Sequence, residues 1–126
     1  NPNKQLPAAS TIKVGILFCM LSVIIGAFGA HALKDVIDNK MDTFDTGIQY
    51  QFFHGIALML TGILSINMPD IDLNVVGYLF IVGIILFSTS LYLIAIYKYT
   101  FLGIVAPFGG LSFIMAWAFL LYKIGG

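Results

Sequence analysis

The sequence contains neither arginine nor glutamate, and charged residues of any kind are scarce. The six basic residues are all lysine and the six acidic residues are all aspartate, so that 10 % of the 126 residues are charged and the formal net charge is zero. An average soluble domain has about 25 % charged residues. Without arginine the chain lacks the usual side chain for bidentate phosphate binding, and without excess positive charge nothing indicates a nucleic-acid partner.

Cysteine and histidine are equally scarce, which restricts covalent and metal chemistry. The single cysteine, Cys19, cannot form an internal disulfide, and it lies in the middle of an apolar run, where a thiol behaves as a small hydrophobic group. The two histidines, His31 and His54, have only Asp45 as a nearby acid, whereas a metal site usually needs three or four ligands. No nucleophile-elbow pattern surrounds any serine. We therefore expect no metal, no cofactor and no enzymatic activity.

Apolar residues make up 60 % of the chain and form four runs long enough to cross a membrane. A spanning helix needs about 20 mostly apolar residues, and the runs cover roughly residues 12–33, 47–68, 74–97 and 102–124. All the charged residues lie at the edges of these runs or outside them. The sequence predicts a single all-α membrane domain over residues 1–126, a compact four-transmembrane-helix bundle with both termini on the same side.

The connection between the first two runs is the longest, and two interpretations of it stay open. Its apolar residues have the spacing of one helix face: Val36, Ile37, Met41 and Phe44. They are compatible with a short interfacial helix over residues 35–42 or with a plain polar loop. At the end of this connection, Asp45 or Thr46 is expected to be the N-cap of the second helix.

Lysines at the ends of the runs give a small preference for one orientation under the positive-inside rule. Three lie on the side of the termini and three on the other side: Lys4, Lys13 and Lys123 against Lys34, Lys40 and Lys98. Lysines before the first helix often dominate, so we expect both termini in the cytoplasm. Aromatic residues near the run ends are typical of interfacial belts: Tyr97, Tyr99, Trp117 and Tyr122.

Small residues at helical spacing predict close contacts between the helices. Because lipid chains are as apolar as leucine, membrane helices associate through small residues that let backbones approach. In the first run such residues recur in steps of three and four, which follow one helix face. The fourth run has a shorter row of the same kind. We expect these residues to mediate helix packing: Gly15, Ser22, Gly26, Gly29, Gly103 and Gly110.

Polar side chains are concentrated in one half of the predicted bundle, near the first and third connections. The candidate polar cluster comprises His31, Gln49, Gln51, His54, Ser88, Ser90, Tyr92 and Pro107. His54 is its deepest ionisable group, about seven residues and roughly 10 Å past the expected helix start. Pro107, inside the fourth run, is expected to free the carbonyl near Gly103. The cluster is predicted either to tie the helices together by hydrogen bonds or to form a ligand pocket.

Four stretches in this order resemble a known family. They are GAFGAHALK (26–34), FDTGIQYQFFHGIAL (44–58), GIILFSTSLYLIA (83–95) and LGIVAPFGGLSFIMAW (102–117). Together they closely resemble the domain-of-unknown-function 423 family, small four-helix membrane proteins that are widespread in bacteria and similar to eukaryotic transmembrane protein 256. The resemblance implies a multi-pass protein of the bacterial inner membrane with cytoplasmic termini. It implies no established reaction.

The family motif positions fall on residues already singled out, together with a few neighbours. They correspond here to Gly26, Gly29, His31, Gly47, Gln49, Tyr50, Gln51, His54, Ser88, Ser90, Tyr92, Pro107, Gly109 and Gly110. This chain departs from the family pattern at Thr89, which stands in place of glycine, and in its acidic second connection, PDID (69–72).

The short connections leave no room for a soluble catalytic domain. The leading prediction is therefore a non-enzymatic protein that is surrounded by membrane lipids and serves as a small accessory or structural subunit of a larger membrane complex, or as a membrane-organising protein. The alternative is binding or transport of a lipid, quinone or other amphiphile in a polar pocket around His54. A small intramembrane enzyme is the third interpretation. The pattern predicts no particular oligomeric state.

Overall fold

Every regular element in the described part of the chain is helical. The computed structural model describes residues 2–125, with side chains from residue 7 onward, so the side chain of Lys4 lies outside the described residues. The α-helices are α1 (Pro2–His31), α2 (Lys34–Ile37), α3 (Met41–Asn67), α4 (Asn74–Gly83), α5 (Thr89–Tyr97) and α6 (Ala106–Gly125). A π-helical turn (Ile84–Ser88) joins α4 to α5, and 3-10 turns (Asp38–Lys40 and Thr100–Ile104) precede α3 and α6.

Three helical segments are long and apolar enough to cross a membrane. They are residues Pro7–His31, Asn74–Tyr97 and Thr100–Gly125. Helix α3 is 27 residues long but carries Gln49 and Gln51 in its first half and His54 at its centre. The prediction of an all-helical chain is thus confirmed for residues 2–125, and three of the four predicted spans coincide with helices long and apolar enough to cross a membrane.

The first connection differs from both interpretations offered by the sequence. Helix α2 covers only Lys34–Ile37, and Ile37 is fully buried instead of lying at a surface. Helix α3 begins at Met41, so the N-cap prediction for Asp45 and Thr46 is wrong. Both residues lie inside the helix, where the Thr46 hydroxyl donates to the carbonyl of Asp42 at 2.9 Å. The helix starts earlier than predicted because the 3-10 turn (Asp38–Lys40) is followed directly by Met41, with no residue in an extended conformation between them.

A lysine joins the first connection to the third. Ile37 packs into a small apolar cluster with Phe44 and Ala95. The ammonium of Lys98 donates to the carbonyl of Ile37 at 2.7 Å and to that of Ala95 at 2.9 Å. A positive group at the end of α5 is also favoured by the helix dipole. Lys98 therefore holds the two connections together at one end of the bundle.

Helices α1 and α3 run antiparallel and approach closely at glycines. A Cβ atom added to Gly15 would lie 2.6 Å from the carbonyl oxygen of Gly55, and one added to Gly29 would lie 2.1 Å from the ring of Phe44. Gly26 has looser surroundings, since its nearest neighbour, Ile48, would be 3.6 Å away. Ser22 is buried on the same face, and its hydroxyl bonds within its own helix.

On α6 the residue at the close contact is one the packing prediction omitted. Gly103 lies in the 3-10 turn before α6 and has no neighbour within 4 Å of a hypothetical Cβ, so its predicted packing role is wrong. The nearest atom to a Cβ on Gly110 would be 4.0 Å away, on Phe87. Gly109 makes the contact instead, because its Cβ would lie 2.4 Å from the backbone nitrogen of Phe87. The prediction assumed an unbroken helix from residue 102, whereas α6 begins at Ala106.

The main apolar core lies between α3, α4 and α6. Leu58, Val76 and Phe80 are almost completely buried there, with Phe113 and Ala116 packed against them. This core borders the middle of α3, where the polar residues of that helix meet those of its neighbours.

Candidate functional site

Gln51 links three helices through its side-chain amide. Its Nε2 donates to the carbonyl of Phe18 on α1 at 2.9 Å, and its Oε1 accepts from the hydroxyl of Tyr92 on α5 at 2.6 Å. The side chain is buried. Since both ends of the amide are bonded, Gln51 satisfies its polar atoms where water is excluded.

The π-helical turn contributes a second link between helices. Ser88, the last residue of that turn, is buried and donates from its hydroxyl to the carbonyl of Gly47 on α3 at 2.8 Å. A Cβ on Gly47 would lie 2.8 Å from the ring of Tyr92, so the glycine lets Tyr92 approach α3 and reach Gln51. Ser90, by contrast, bonds to the carbonyl of Leu86 within its own helical segment.

His54 lies in a shell of aromatic rings with both ring nitrogens engaged. Its Nδ1 lies 2.8 Å from the carbonyl of Tyr50, and its Nε2 lies 3.1 Å from Nε1 of Trp117. A carbonyl can only accept and an indole N–H can only donate, so the network assigns the neutral Nδ1–H tautomer. The imidazole also stacks on Phe113 with a centroid distance of 3.7 Å. In this arrangement neither nitrogen is available to a metal or a reacting group.

Trp117 is a member of this site that the sequence did not reveal. Its position near a run end is typical of an interfacial aromatic residue, but it lies in the middle of α6 and bonds to His54. Ser112, also on α6, donates to the carbonyl of Leu79 at 2.7 Å and links α6 to α4. No periodicity could have related these residues to their partners on other helices.

Three predicted cluster residues lie apart from the hydrogen-bonded centre. His31 is exposed at the end of α1, and the nearby contact between Gly29 and Phe44 places it level with the first turns of α3, far from His54. Gln49 is exposed on α3. Pro107 is the second residue of α6, where a missing N–H has no intrahelical partner to lose, so the expectation that it frees the carbonyl near Gly103 is wrong.

His54 also lies farther along its helix than expected. Because α3 covers Met41–Asn67, His54 is its central residue, about 20 Å from either end at 1.5 Å per residue. The predicted distance of 10 Å assumed a helix start at residue 47. His54 therefore lies at mid-helix, whereas Gln51 and the Gly47 carbonyl bonded by Ser88 lie in the first half of α3, nearer the first and third connections.

An open groove adjoins His54 on the outside of the bundle. Its volume is about 650 Å³, within the range of small-molecule sites. We call it the aromatic groove, and it is lined by Tyr50, His54, Phe87, Pro107, Gly110, Leu111, Phe113, Ile114 and Trp117. None of these side chains carries a formal charge. Elsewhere in residues 2–125 no three His, Cys, Asp or Glu side chains come together in a group that could hold a metal ion.

Long apolar helices around a buried network of neutral polar groups define an integral membrane protein. A family model described as "Protein of unknown function (DUF423)" matches residues 25–110, and the chain belongs to this family. The chain is similar to a UPF0382 membrane protein of Staphylococcus haemolyticus, with 39 % identity over 111 residues that cover 87 % of this chain and 90 % of the relative. It is also similar to the UPF0382 membrane protein YwdK of Bacillus subtilis, with 35 % identity over 112 residues that cover 87 % and 91 % of the two chains. No solved structure matches the chain.

Proposed function

We propose that the chain forms a four-span bundle in a bacterial plasma membrane, with both termini in the cytoplasm, and acts as a non-enzymatic accessory or structural subunit of a larger membrane complex. Helix α3 is the fourth span in this proposal. Its polar side chains are compatible with lipid surroundings because Gln51 and His54 are bonded to neighbouring groups.

The observation that carries the subunit proposal is the exposed apolar face of α1. Only 17 % of the most apolar 18-residue stretch of this span is buried. The corresponding values are 39 % for the span formed by α4 and α5 and 33 % for the span that ends in α6. Ile16, Met20 and Val23 follow one another along its outer face, and Val23 is 63 % exposed. A second membrane protein could pack against this row without displacing any helix of the bundle.

The absence of enzymatic activity in this proposal is supported by the hydrogen bonds of the buried polar groups. Among the described residues, no buried side-chain nitrogen or oxygen lacks a hydrogen-bond partner. A reactive centre needs a group held ready for substrate, such as a histidine nitrogen beside a nucleophile. His54 offers no such nitrogen, because Tyr50 and Trp117 occupy both.

A photo-crosslinking amino acid at Val23 tests the subunit proposal. We expect ultraviolet light to join this position to one protein of fixed mass in intact membranes, and the same protein to co-purify at fixed stoichiometry in mild detergent. The matched control is Leu121 on α6, which is also apolar and 75 % exposed. It should react with lipid only. Protein adducts at neither position, or the same adducts at both, would refute a specific interface on α1.

Cysteine labelling tests the four spans and their orientation. With Cys19 replaced by alanine, Asn39→Cys reports on the first connection and Asp70→Cys on the second. We expect an impermeant maleimide to label Asn39→Cys in intact cells but Asp70→Cys only after lysis, because α3 separates the two positions by a full span. The reverse result would invert the orientation, and equal labelling of both would show that α3 does not cross.

The aromatic groove favours a second candidate function, the binding or transport of a membrane amphiphile. It lies beside His54, where the sequence predicted a pocket, and is open to the surroundings of the bundle. Its lining is apolar except for the hydroxyl of Tyr50 and the already bonded nitrogens of His54 and Trp117. The occupant of such a groove must be mostly apolar and uncharged.

A further inference from the structure

The aromatic groove extends along α6 from the start of the helix to its middle. Pro107 lies near one end and Trp117 near the other, ten residues apart, which corresponds to about 15 Å of helix. This length is about half the thickness of the hydrocarbon core of a bilayer. In the four-span arrangement, a molecule in the groove would therefore occupy the depth of one lipid leaflet.

Tyr50 presents an unpaired hydroxyl beside this groove. Its ring contacts Phe87 and Phe113 at centroid distances of 4.7 and 6.1 Å, and the residue is 40 % exposed. Within residues 2–125 the hydroxyl has no hydrogen-bond partner, whereas the other polar side-chain atoms of the lining, on His54 and Trp117, are bonded. Tyr50 lies nine residues after the start of α3. In the four-span arrangement its hydroxyl would therefore lie in the hydrocarbon core, where a polar group without a partner is costly. A ligand atom that accepts a hydrogen bond would remove this cost.

The lining restricts the ligand further. No cation is present to attract a phosphate or carboxylate, so an anionic headgroup is not suited to the groove. The rings of Tyr50, Phe113 and Trp117 offer flat surfaces, on which a planar ring stacks better than a flexible acyl chain. One unpaired donor matches one carbonyl acceptor on such a ring.

We propose that the aromatic groove binds the ring of a neutral prenyl quinone, with the Tyr50 hydroxyl donating to a ring carbonyl oxygen. The prenyl tail lies along the apolar surface and extends into the lipid. This inference rests on the second candidate function, amphiphile binding, and specifies its ligand. It concerns binding alone.

The single tryptophan of the chain makes the groove directly observable. Trp117 lies in the lining, so its fluorescence reports on whatever stacks there. The full chain in phosphatidylcholine nanodiscs is titrated with a naphthoquinone that carries a short prenyl tail. We expect saturable quenching. Tyr50→Phe keeps the ring but removes the donor, and should weaken binding about five-fold, the effect of one hydrogen bond. Gly110→Leu fills the groove, and should abolish saturable quenching.

Gly110→Leu is expected to fold, because the nearest atom to its Cβ is 4.0 Å away. The matched control is Gly103→Leu, outside the groove, which should bind like the original chain. Quenching that rises linearly and equally in all four proteins would overturn the proposal, as would saturable quenching unaffected by Tyr50→Phe and Gly110→Leu.

A second titration distinguishes a quinone from an ordinary lipid. In nanodiscs with brominated acyl chains, lipid contact quenches Trp117, and the displacement of lipid from the groove by a non-quenching planar aromatic ketone with a prenyl tail should restore part of the fluorescence. No restoration would assign the groove to acyl chains and overturn the quinone proposal. Neither titration depends on the α1 interface, so their failure leaves the crosslinking and labelling tests of the subunit proposal intact.

Discussion

Gly109→Ala is expected to destabilise the protein by about 3 kcal/mol, the upper part of the usual range for overpacking. The added Cβ would lie 2.4 Å from the backbone nitrogen of Phe87 and 2.8 Å from its Cα. These are main-chain atoms, so no side-chain rotation can relieve the clash and α6 must move away from the π-helical turn. The measurement is reversible unfolding in mixed detergent micelles, followed by circular dichroism.

The neighbouring glycine supplies the control for this prediction. Gly110→Ala places its Cβ 4.0 Å from the nearest atom, on Phe87, which is ordinary van der Waals contact. We expect the free energy of unfolding to stay unchanged or to rise by up to about 1 kcal/mol, because no close contact opposes the alanine side chain. Alanine also favours a helix over glycine by about 1 kcal/mol, so a loss at Gly109 would arise from the contact and not from helix propensity. Equal effects at the two positions would refute the close approach of α6.

Gln51→Leu is expected to cost about 2 kcal/mol, because a buried hydrogen-bond partner left unsatisfied costs about 1–3 kcal/mol. The change introduces an apolar side chain of similar size and removes the bonds to the Phe18 carbonyl and the Tyr92 hydroxyl. The hydroxyl of Tyr92 then loses its acceptor. Gln49→Leu is the matched control, since Gln49 lies two positions away on the exposed side of α3. It should leave the free energy of unfolding unchanged or raise it.

A double-mutant cycle with Tyr92→Phe separates the shared bond from other effects. If Gln51 and Tyr92 stabilise the fold through their 2.6 Å contact, the two substitutions should be non-additive by about 1 kcal/mol, a typical coupling between membrane helices. Strict additivity would mean that the contact contributes nothing, and Gln51 would then act through Phe18 alone.

Much of this architecture can be predicted from the sequence, because few backbone structures are stable in the hydrocarbon core of a membrane. Apolar runs of about 20 residues must be helical in a membrane, and the scarcity of charge indicates that environment. Helical periodicity also related Gln51 and His54 on α3, and antiparallel succession brought Tyr92 and Ser88 to the same part of the bundle. Such reasoning places residues by level along a helix and by face, to within about one turn.

Details finer than one turn could not be read in this way. The choice between Gly109 and Gly110 depends on where α6 begins, and the sequence did not reveal the 3-10 turn at Thr100–Ile104 that delays its start. The early start of α3 likewise moved His54 from the predicted 10 Å to the helix centre. Helix ends depend on tertiary contacts, such as the Lys98 bonds that close this end of the bundle, and local propensity does not encode them.

Composition, run length and the four family stretches are sufficient to assign this chain to a family of helical membrane proteins. The partners of the polar residues, in contrast, follow from the tertiary packing of the helices. It paired His54 with Trp117 across 63 positions, separated His31 from both, and placed Tyr50 in the lining of the aromatic groove. The physical reason is that burial in lipid requires polar groups to find partners, but several partners meet that requirement equally well. The packing of particular helix faces selects among them.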